Sequence, residues 1–213
     1  MENIKIILAD LHKPILAAWQ AIGQDKNYVT TYQGSIFEVD CDALVSPANS
    51  FGFMDGGIDM AISRFFGWQV QERLQQLIQA KYHGELLVGQ ADIVATDHSR
   101  IPYVIAAPTM RVPMILSDSP NIYLALRAVL LLAKHGQLAD GTPVADQVQT
   151  IAWPGMGTGI GQVSPEIFAR QMKQALEDIV EGRYTYPKSW WEAAQRHQLL
   201  YSGPDEIRDL QVE

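Results

Sequence analysis

Apolar positions along the chain form short extended runs separated by amphipathic stretches. Ile4–Ala9 reads as a strand, and Pro14–Ile22 has helical spacing and stops at Gly23. Tyr28–Tyr32 and Ile36–Val39 read as short extended segments around Gln33-Gly34-Ser35. Ala43-Leu44-Val45 reads as a buried strand running into Ser46-Pro47-Ala48-Asn49-Ser50. Beyond the loop Phe51–Gly57, one helix is predicted from about Ile58 and another from Trp68 to His83, closed by Gly84. Leu86–Val94 and Tyr103–Ala107 read as two further strands. Pro120–His135 reads as a helix, with Ser119 as its cap, proline in first position and Gly136 behind it. Asp140–Asp146 reads as a loop, Gln149–Trp153 as a strand and Pro165–Val180 as a helix. Past Val180 no further strand is evident, and Ser189-Trp190-Trp191-Glu192 has the form of a capping-box helix start. Trp190 and Trp191 are expected to pack that tail onto the domain, because large aromatics dominate burial. The alternation of strands and helices implies a sheet covered by helices, an α/β layered fold.

Composition narrows the setting. The chain has 213 residues, of which 47% are hydrophobic and 19% charged, enough for a real core in one domain with at most an appendage. The formal charge of −8 argues against general nucleic-acid binding, which needs a basic footprint. The longest apolar runs, such as Ala128–Ala133, are too short to span a bilayer, so no membrane partner is expected. Met1–Lys5 lacks the layout of a signal peptide. A single cysteine, Cys41, rules out a disulfide within the chain, and the expected setting is a reducing cytoplasm. Cys41 lies beside Asp42 at a strand start and reads as a small buried hydrophobe rather than a nucleophile. No G-x-S-x-G elbow occurs, and the histidines show no metal-ligand spacing.

The most informative chemistry lies in Gly155-Met156-Gly157-Thr158-Gly159-Ile160-Gly161, where four glycines alternate across seven residues. A strand precedes this stretch. Ser164-Pro165-Glu166 follows it as a helix start, with serine as cap and proline in first position. Strand, glycine loop and helix together form an anion-binding arrangement. Glycine lets a ligand approach the backbone, and loop amides with a helix N-terminus offer donors to phosphate. No lysine follows, so this is not the P-loop of nucleotide triphosphatases. The G-x-G-x-x-G spacing is absent and the loop lies late in the chain, which argues against a dinucleotide-binding Rossmann unit.

A second constellation combines Ser46-Pro47-Ala48-Asn49-Ser50 with Asp55-Gly56-Gly57-Ile58-Asp59, again a strand end, a turn, a glycine pair and a helix start. Two such loops at strand ends of one sheet can clamp one ligand from opposite sides. An asparagine amide can fix a sugar hydroxyl, and a neighbouring aspartate can activate water. Taken singly, these residues also have plain structural readings: Asp55-Gly56 is a turn signal and Asn49 suits an Asx turn.

Together these stretches resemble the macrodomains, which bind ADP-ribose. The matching segments, in order over about residues 28 to 180, are Gln33-Gly34-Ser35-Ile36, Asp42 to Asn49, Gly56-Gly57-Ile58-Asp59, Val104 to Pro108 and Gly155 to Gly161. The resemblance implies a three-layer α/β/α fold with a central mixed sheet. It implies a macrodomain-like domain over residues 1–182 and a helical tail over 183–213 packed on it. ADP-ribose or a related nucleotide is the implied ligand and an ADP-ribosylated protein the implied partner, with no cofactor and no metal.

The resemblance also assigns roles. Asn49 would hold the distal ribose, and Gly56, Gly57 and Ile58 would contact that ribose and the diphosphate. Gly155, Met156, Gly157, Thr158, Gly159, Ile160 and Gly161 would form the loop that cradles the diphosphate. Ser35 and Ile36 are implied ligand contacts, and Ser35 stands where the family carries an aspartate for the adenine amino group. Asp59 matches the aspartate proposed in hydrolytic members to activate water, so Asn49 and Asp59 are the catalytic candidates. Three functions stay open: hydrolysis of ADP-ribosylated side chains or of ADP-ribose 1″-phosphate, binding of ADP-ribose without turnover, and a structural role with a vestigial pocket.

Overall fold

A computed structural model describes residues 4–47 and 49–208. Six strands, β1 (Lys5–Asp10), β2 (Val29–Gln33), β3 (Ala43–Ser46), β4 (Asp92–Ala95), β5 (Tyr103–Ala106) and β6 (Thr150–Trp153), form one sheet in the order β2-β1-β6-β3-β5-β4. Every neighbouring pair is parallel except β4 with β5, so the sheet is mixed, with its antiparallel strand at one edge. Between the strands run α1 (Lys13–Ile22), α2 (Gly57–Phe66), α3 (Gln69–Tyr82), α4 (Asn121–His135) and the short α5 (Val144–Gln147). After β6 come α6 (Pro165–Ile179) and α7 (Trp190–Gln198).

Alternate strand residues feed two cores, one on each side of the sheet. Ile6, Leu8, Val45, Ile105, Ile151 and Trp153 pack with Leu16 of α1, Leu126 of α4 and Phe168 of α6. Ala9, Leu44, Val104 and Ala152 pack with Ile62 of α2 and Leu74 of α3. All four β3 residues are buried, because the strand is central and covered on both faces. The result is the α/β/α sandwich expected from the sequence, and parallel strands between helices explain why those strands read as apolar runs.

Four local expectations are corrected. Of the run Leu86–Val94 only the last three residues are in a strand, β4 (Asp92–Ala95). Leu87–Gln90 is a turn closed by the Gln90 amide on the Leu87 carbonyl, with Gly89 at φ 91°. Ile36–Glu38 is a single 3-10 turn instead of an extended segment, because Ser35 Oγ accepts from the Phe37 amide and Glu38 Oε2 accepts from the Ser35 amide. The expected loop Asp140–Asp146 closes into α5 behind Pro143. Trp190 and Trp191 do not pack the tail: they are 65% and 41% exposed. Instead Arg170 of α6 donates to the carbonyls of Leu199 and Ser202, and Leu200 is buried. Ser189 does cap α7, accepting from the Glu192 amide at 3.1 Å. Ala48 and the last residues of the tail, 209–213, lie outside the described residues.

Candidate functional site

β2, β1, β6, β3 and β5 run parallel, so their carboxyl ends finish at one edge of the sheet. Asp10 pairs with Gln33, Leu8 with Trp153 and Ser46 with Ala106, which keeps those ends level. The loops leaving them enclose a cleft of about 530 Å³. Ligands of open α/β sheets sit outside strand carboxyl ends for this reason: loops converge there and helix N-termini point inward. Gly56, Gly57, Ile58 and Asp59 line one wall, and Gly155, Gly157, Thr158, Gly159, Ile160 and Gly161 line the other. β3 and β6, the strands that deliver the two loops, are direct neighbours.

The late loop is held tightly. The Gly155 amide donates to Asp10 Oδ2 at 2.9 Å, and Thr158 Oγ1 donates to the Gly155 carbonyl at 2.8 Å. The Val163 amide returns to the Gly157 carbonyl, and the Leu116 amide caps that of Gly161. Gly157 sits at φ 72°, and a Cβ there would lie 2.4 Å from Ile122 Cδ1. A Cβ on Gly161 would lie 2.5 Å from the Gly157 carbonyl oxygen. Met156 is fully buried and its side chain fastens the loop to the core, away from the cleft. Ser164 caps α6, accepting from the Ile167 amide. The backbone N–H groups of Gly157 to Gly161 have no hydrogen-bond partner among the described residues.

The early loop is built differently. Asn49 Oδ1 accepts from the amides of Phe51 and Phe53 at 3.1 and 3.2 Å, and its Nδ2 donates to the Phe53 carbonyl at 2.8 Å. Gln71 Oε1 accepts from the Met54 amide, and Ser63 Oγ donates to the Met54 carbonyl. Asn49 lines the cleft, yet its amide holds the 51–53 turn together, the Asx-type role open to it from the sequence. At the end of this loop Gly56 is the N-cap of α2 without a side-chain cap. The amides of Gly57, Ile58 and Asp59 therefore have no partner among the described residues.

Asp59 lies in the first turn of α2, 9% exposed, and its Oδ1 accepts from Ser46 Oγ at 2.5 Å. Burial pushes its carboxyl up to about 7, against the Ser46 hydrogen bond, which favours the ionised form. Such a carboxyl at a cleft wall is poised to take a proton near neutral pH.

The Macro domain family profile matches residues 45–172. The chain belongs to the macro domain family. It is 34% identical to an uncharacterized protein of Aquifex aeolicus over 70% of this chain and 80% of that protein. It is 27% identical to a macro domain-containing protein of Caldanaerobacter subterraneus, over 74% of this chain and 83% of that protein. Among solved structures, a point mutant of the Oceanobacillus iheyensis macrodomain with ADPR superposes with a TM-score of 0.58 at 18% identity, over 70% of this chain and 75% of that one. The macrodomain of Mycobacterium tuberculosis DarG gives 0.55 at 20% identity, over 68% of this chain and 87% of that one.

In this macrodomain the remaining end of the cleft lies where β1 and β2 finish. Ser35 lines it, but its Oγ accepts from the Phe37 amide at 3.3 Å as the cap of the 3-10 turn. Its own amide donates to Glu38 Oε2, which also accepts from the Tyr32 hydroxyl. Ile36 is buried, and Phe37, in the same turn, stacks on Phe65 with centroids 4.5 Å apart. Sequence reasoning missed Asp10 and His12, which line the cleft beside this turn. It also missed Ser46 as the partner of Asp59. Asp-Leu-His after a strand carries no motif, and Ser46 read as turn chemistry.

Among the described residues no group of three or more His, Cys, Asp or Glu side chains is placed to hold a metal. Cys41 is buried, which pushes its thiol up to about 12 and leaves it un-ionised at neutral pH. None of the helices among the described residues is long and apolar enough to cross a membrane.

Proposed function

We propose that the cleft binds ADP-ribose in extended form and that Asp59 serves as general base in its hydrolytic release. The observation that carries the reading is the pair of opposed amide sets. The N–H groups of Gly157 to Gly161 and those opening α2 line one cleft from two sides, without partners among the described residues. Unpaired backbone donors at a concave site, reinforced by a helix N-terminus, suit a diphosphate even with no Lys or Arg among the described lining residues. From β2 across β1 and β6 to β3 is three strand spacings, roughly 14 Å at about 4.8 Å each. That length fits a base at the Ser35–Ile36 end, the diphosphate at the glycine loop and the distal ribose beside Asp59. The bound nucleotide is ADP-ribose itself or ADP-ribose carried on a protein.

In the hydrolytic step, water attacks the anomeric carbon of the distal ribose and gives its proton to Asp59. The bond from that carbon to the modified side chain breaks, and an acidic side chain leaves as a carboxylate. Asp59 acts as base only when ionised, so turnover rises as pH passes through about 7. Ser46 orients the carboxylate.

One observation favours a second reading, binding without turnover. The Asn49 amide is committed to the 51–53 turn, leaving one N–H of its Nδ2 to meet a ribose hydroxyl. Two measurements test both. A thermal shift with ADP-ribose at about 100 times Kd is expected to add roughly 2.7 kcal/mol, and no shift removes ADP-ribose from the site. Asp59→Ala is expected to abolish release of ADP-ribose from a modified protein while binding survives. Binding by the wild type with no release at any pH leaves the second reading.

A further inference from the structure

One polar pair in the cleft has no part in that scheme. Asp10, at the end of β1, has a nearly buried carboxylate, 11% exposed, whereas the His12 side chain is 78% exposed. Asp10 Oδ1 accepts from the His12 amide at 2.8 Å and meets His12 Nδ1 at 3.0 Å. Asp10 Oδ2 accepts from the Gly155 amide at 2.9 Å. One carboxylate thus aligns both the first residue of the glycine loop and an imidazole. Beside a carboxylate, Nδ1 carries the proton, which leaves the Nε2 lone pair open in the neutral ring. His12 supplies the sole imidazole among the described lining residues.

Strand order places the pair. β1 lies between β2, whose end carries Ser35 and Ile36, and β6, whose end carries the glycine loop. With the base at the first and the diphosphate at the second, the segment opposite β1 is the ribose that joins them. This step rests on the ADP-ribose reading above. We propose that His12, held in one tautomer by Asp10, accepts a hydrogen bond through Nε2 from the 2′-hydroxyl of the adenosine ribose. The cleft thereby selects ribonucleotides over 2′-deoxyribonucleotides. His12 is the contact, and Asp10 is a positioning residue.

The test is a four-way calorimetric cycle on the full chain: wild type and His12→Ala, each with ADP-ribose and with its analogue lacking the adenosine 2′-hydroxyl. The expected result is a loss of about fivefold for either change alone, as for one hydrogen bond, and no further loss when both are made. His12 is largely exposed, so the alanine variant is expected to keep its fold, which an unchanged Tm verifies. Asp10→Asn is expected to erase the 2′-discrimination and to shift the imidazole ¹⁵N resonances away from the Nδ1-protonated pattern. Equal affinity of the wild type for the two ligands, or strictly additive losses, overturns the inference while leaving ADP-ribose in the cleft. No binding of ADP-ribose to the wild type overturns both.

Discussion

The two loops that face each other across the cleft solve one problem by opposite means. Both leave neighbouring parallel strands, both run into a helix and both present amides without partners among the described residues. In the late loop the backbone is shaped by packing: Gly155, Gly157 and Gly161 each sit where a Cβ would come within 2.5 Å of another atom. In the early loop side chains do much of the shaping, through Asn49, Ser63 and Gln71. Gly56 there has open space around its Cβ position, whereas Gly57, open as well, is held at φ 53°. A glycine-rich stretch can thus mean two things. At some positions glycine is required for the fold, and at others it keeps room for a ligand.

The largest expected effect tests the late loop. Gly157→Ala imposes a left-handed backbone on a residue with a Cβ and drives that atom against Ile122. Gly161→Ala meets a carbonyl oxygen of the loop itself, which cannot swing aside as a side-chain end can. Each is expected to cost about 3–4 kcal/mol. In a chain of this size that lowers Tm by roughly 10 °C. Calorimetry checks this, and a Tm within 2 °C or so of wild type for both variants would show that packing does not shape this loop.

Asp59 offers the next effect, with a sign set by linkage. Its folded carboxyl titrates near 7, above the ordinary 3.8, so the folded state keeps a proton that the unfolded chain has lost. That contribution is complete below about 3.8 and is lost as pH rises towards 7, above which it stays lost. Asp59→Asn removes the titration and leaves the Ser46 hydroxyl an acceptor. The variant is expected to be more stable than wild type at pH 8 by up to about 4 kcal/mol, and to match it near pH 4. Denaturant melts across that range measure the difference. A gap that does not change with pH would mean that Asp59 is not the group titrating.

Asn49→Ala comes third. It removes three hydrogen bonds from the 51–53 turn, partly exposed ones, with an expected cost of about 1–2 kcal/mol. Because the same turn leads to Met54 and on to Gly56, proteolysis within residues 50–55 should quicken. If stability is unchanged and only ligand affinity falls, Asn49 is a ligand contact and not a brace.

How far the sequence reveals all this depends on where the information sits. Apolar period and the caps at Ser164 and Ser189 place strands and helices to within a few residues, since each depends on neighbours in the chain. Leu86–Val94 misleads because its apolar content mimics a strand, while a single positive-φ glycine, Gly89, turns the chain. The alternation at 155–161 marks the loop but hides that Met156 points into the core, since packing below the loop is a long-range property. Asp10 with Gly155, and Ser46 with Asp59, join residues 145 and 13 positions apart. No local pattern records such pairs. They appear only once strand order brings β1 beside β6 and β3 beside the start of α2.

The smallest expected effect on stability is the sharpest test of the contrast between the loops. Gly56 has φ −135° and ψ 150°, a conformation open to alanine, and nothing lies within 4 Å of its Cβ position. Gly56→Ala is therefore expected to cost no more than about 1 kcal/mol, the difference between the two residues at an N-cap. Its methyl group stands at the cleft wall beside the amides that open α2, so ADP-ribose affinity should fall at least about tenfold through loss of close backbone approach. Matched melting and calorimetric titrations separate the two quantities. Should Gly56→Ala melt as low as Gly157→Ala, Gly56 would be required by the fold as well, and the distinction between a packed wall and an open one would fail. A stable variant with undiminished affinity would instead remove the α2 amides from the binding surface and leave the late loop to hold the anion alone.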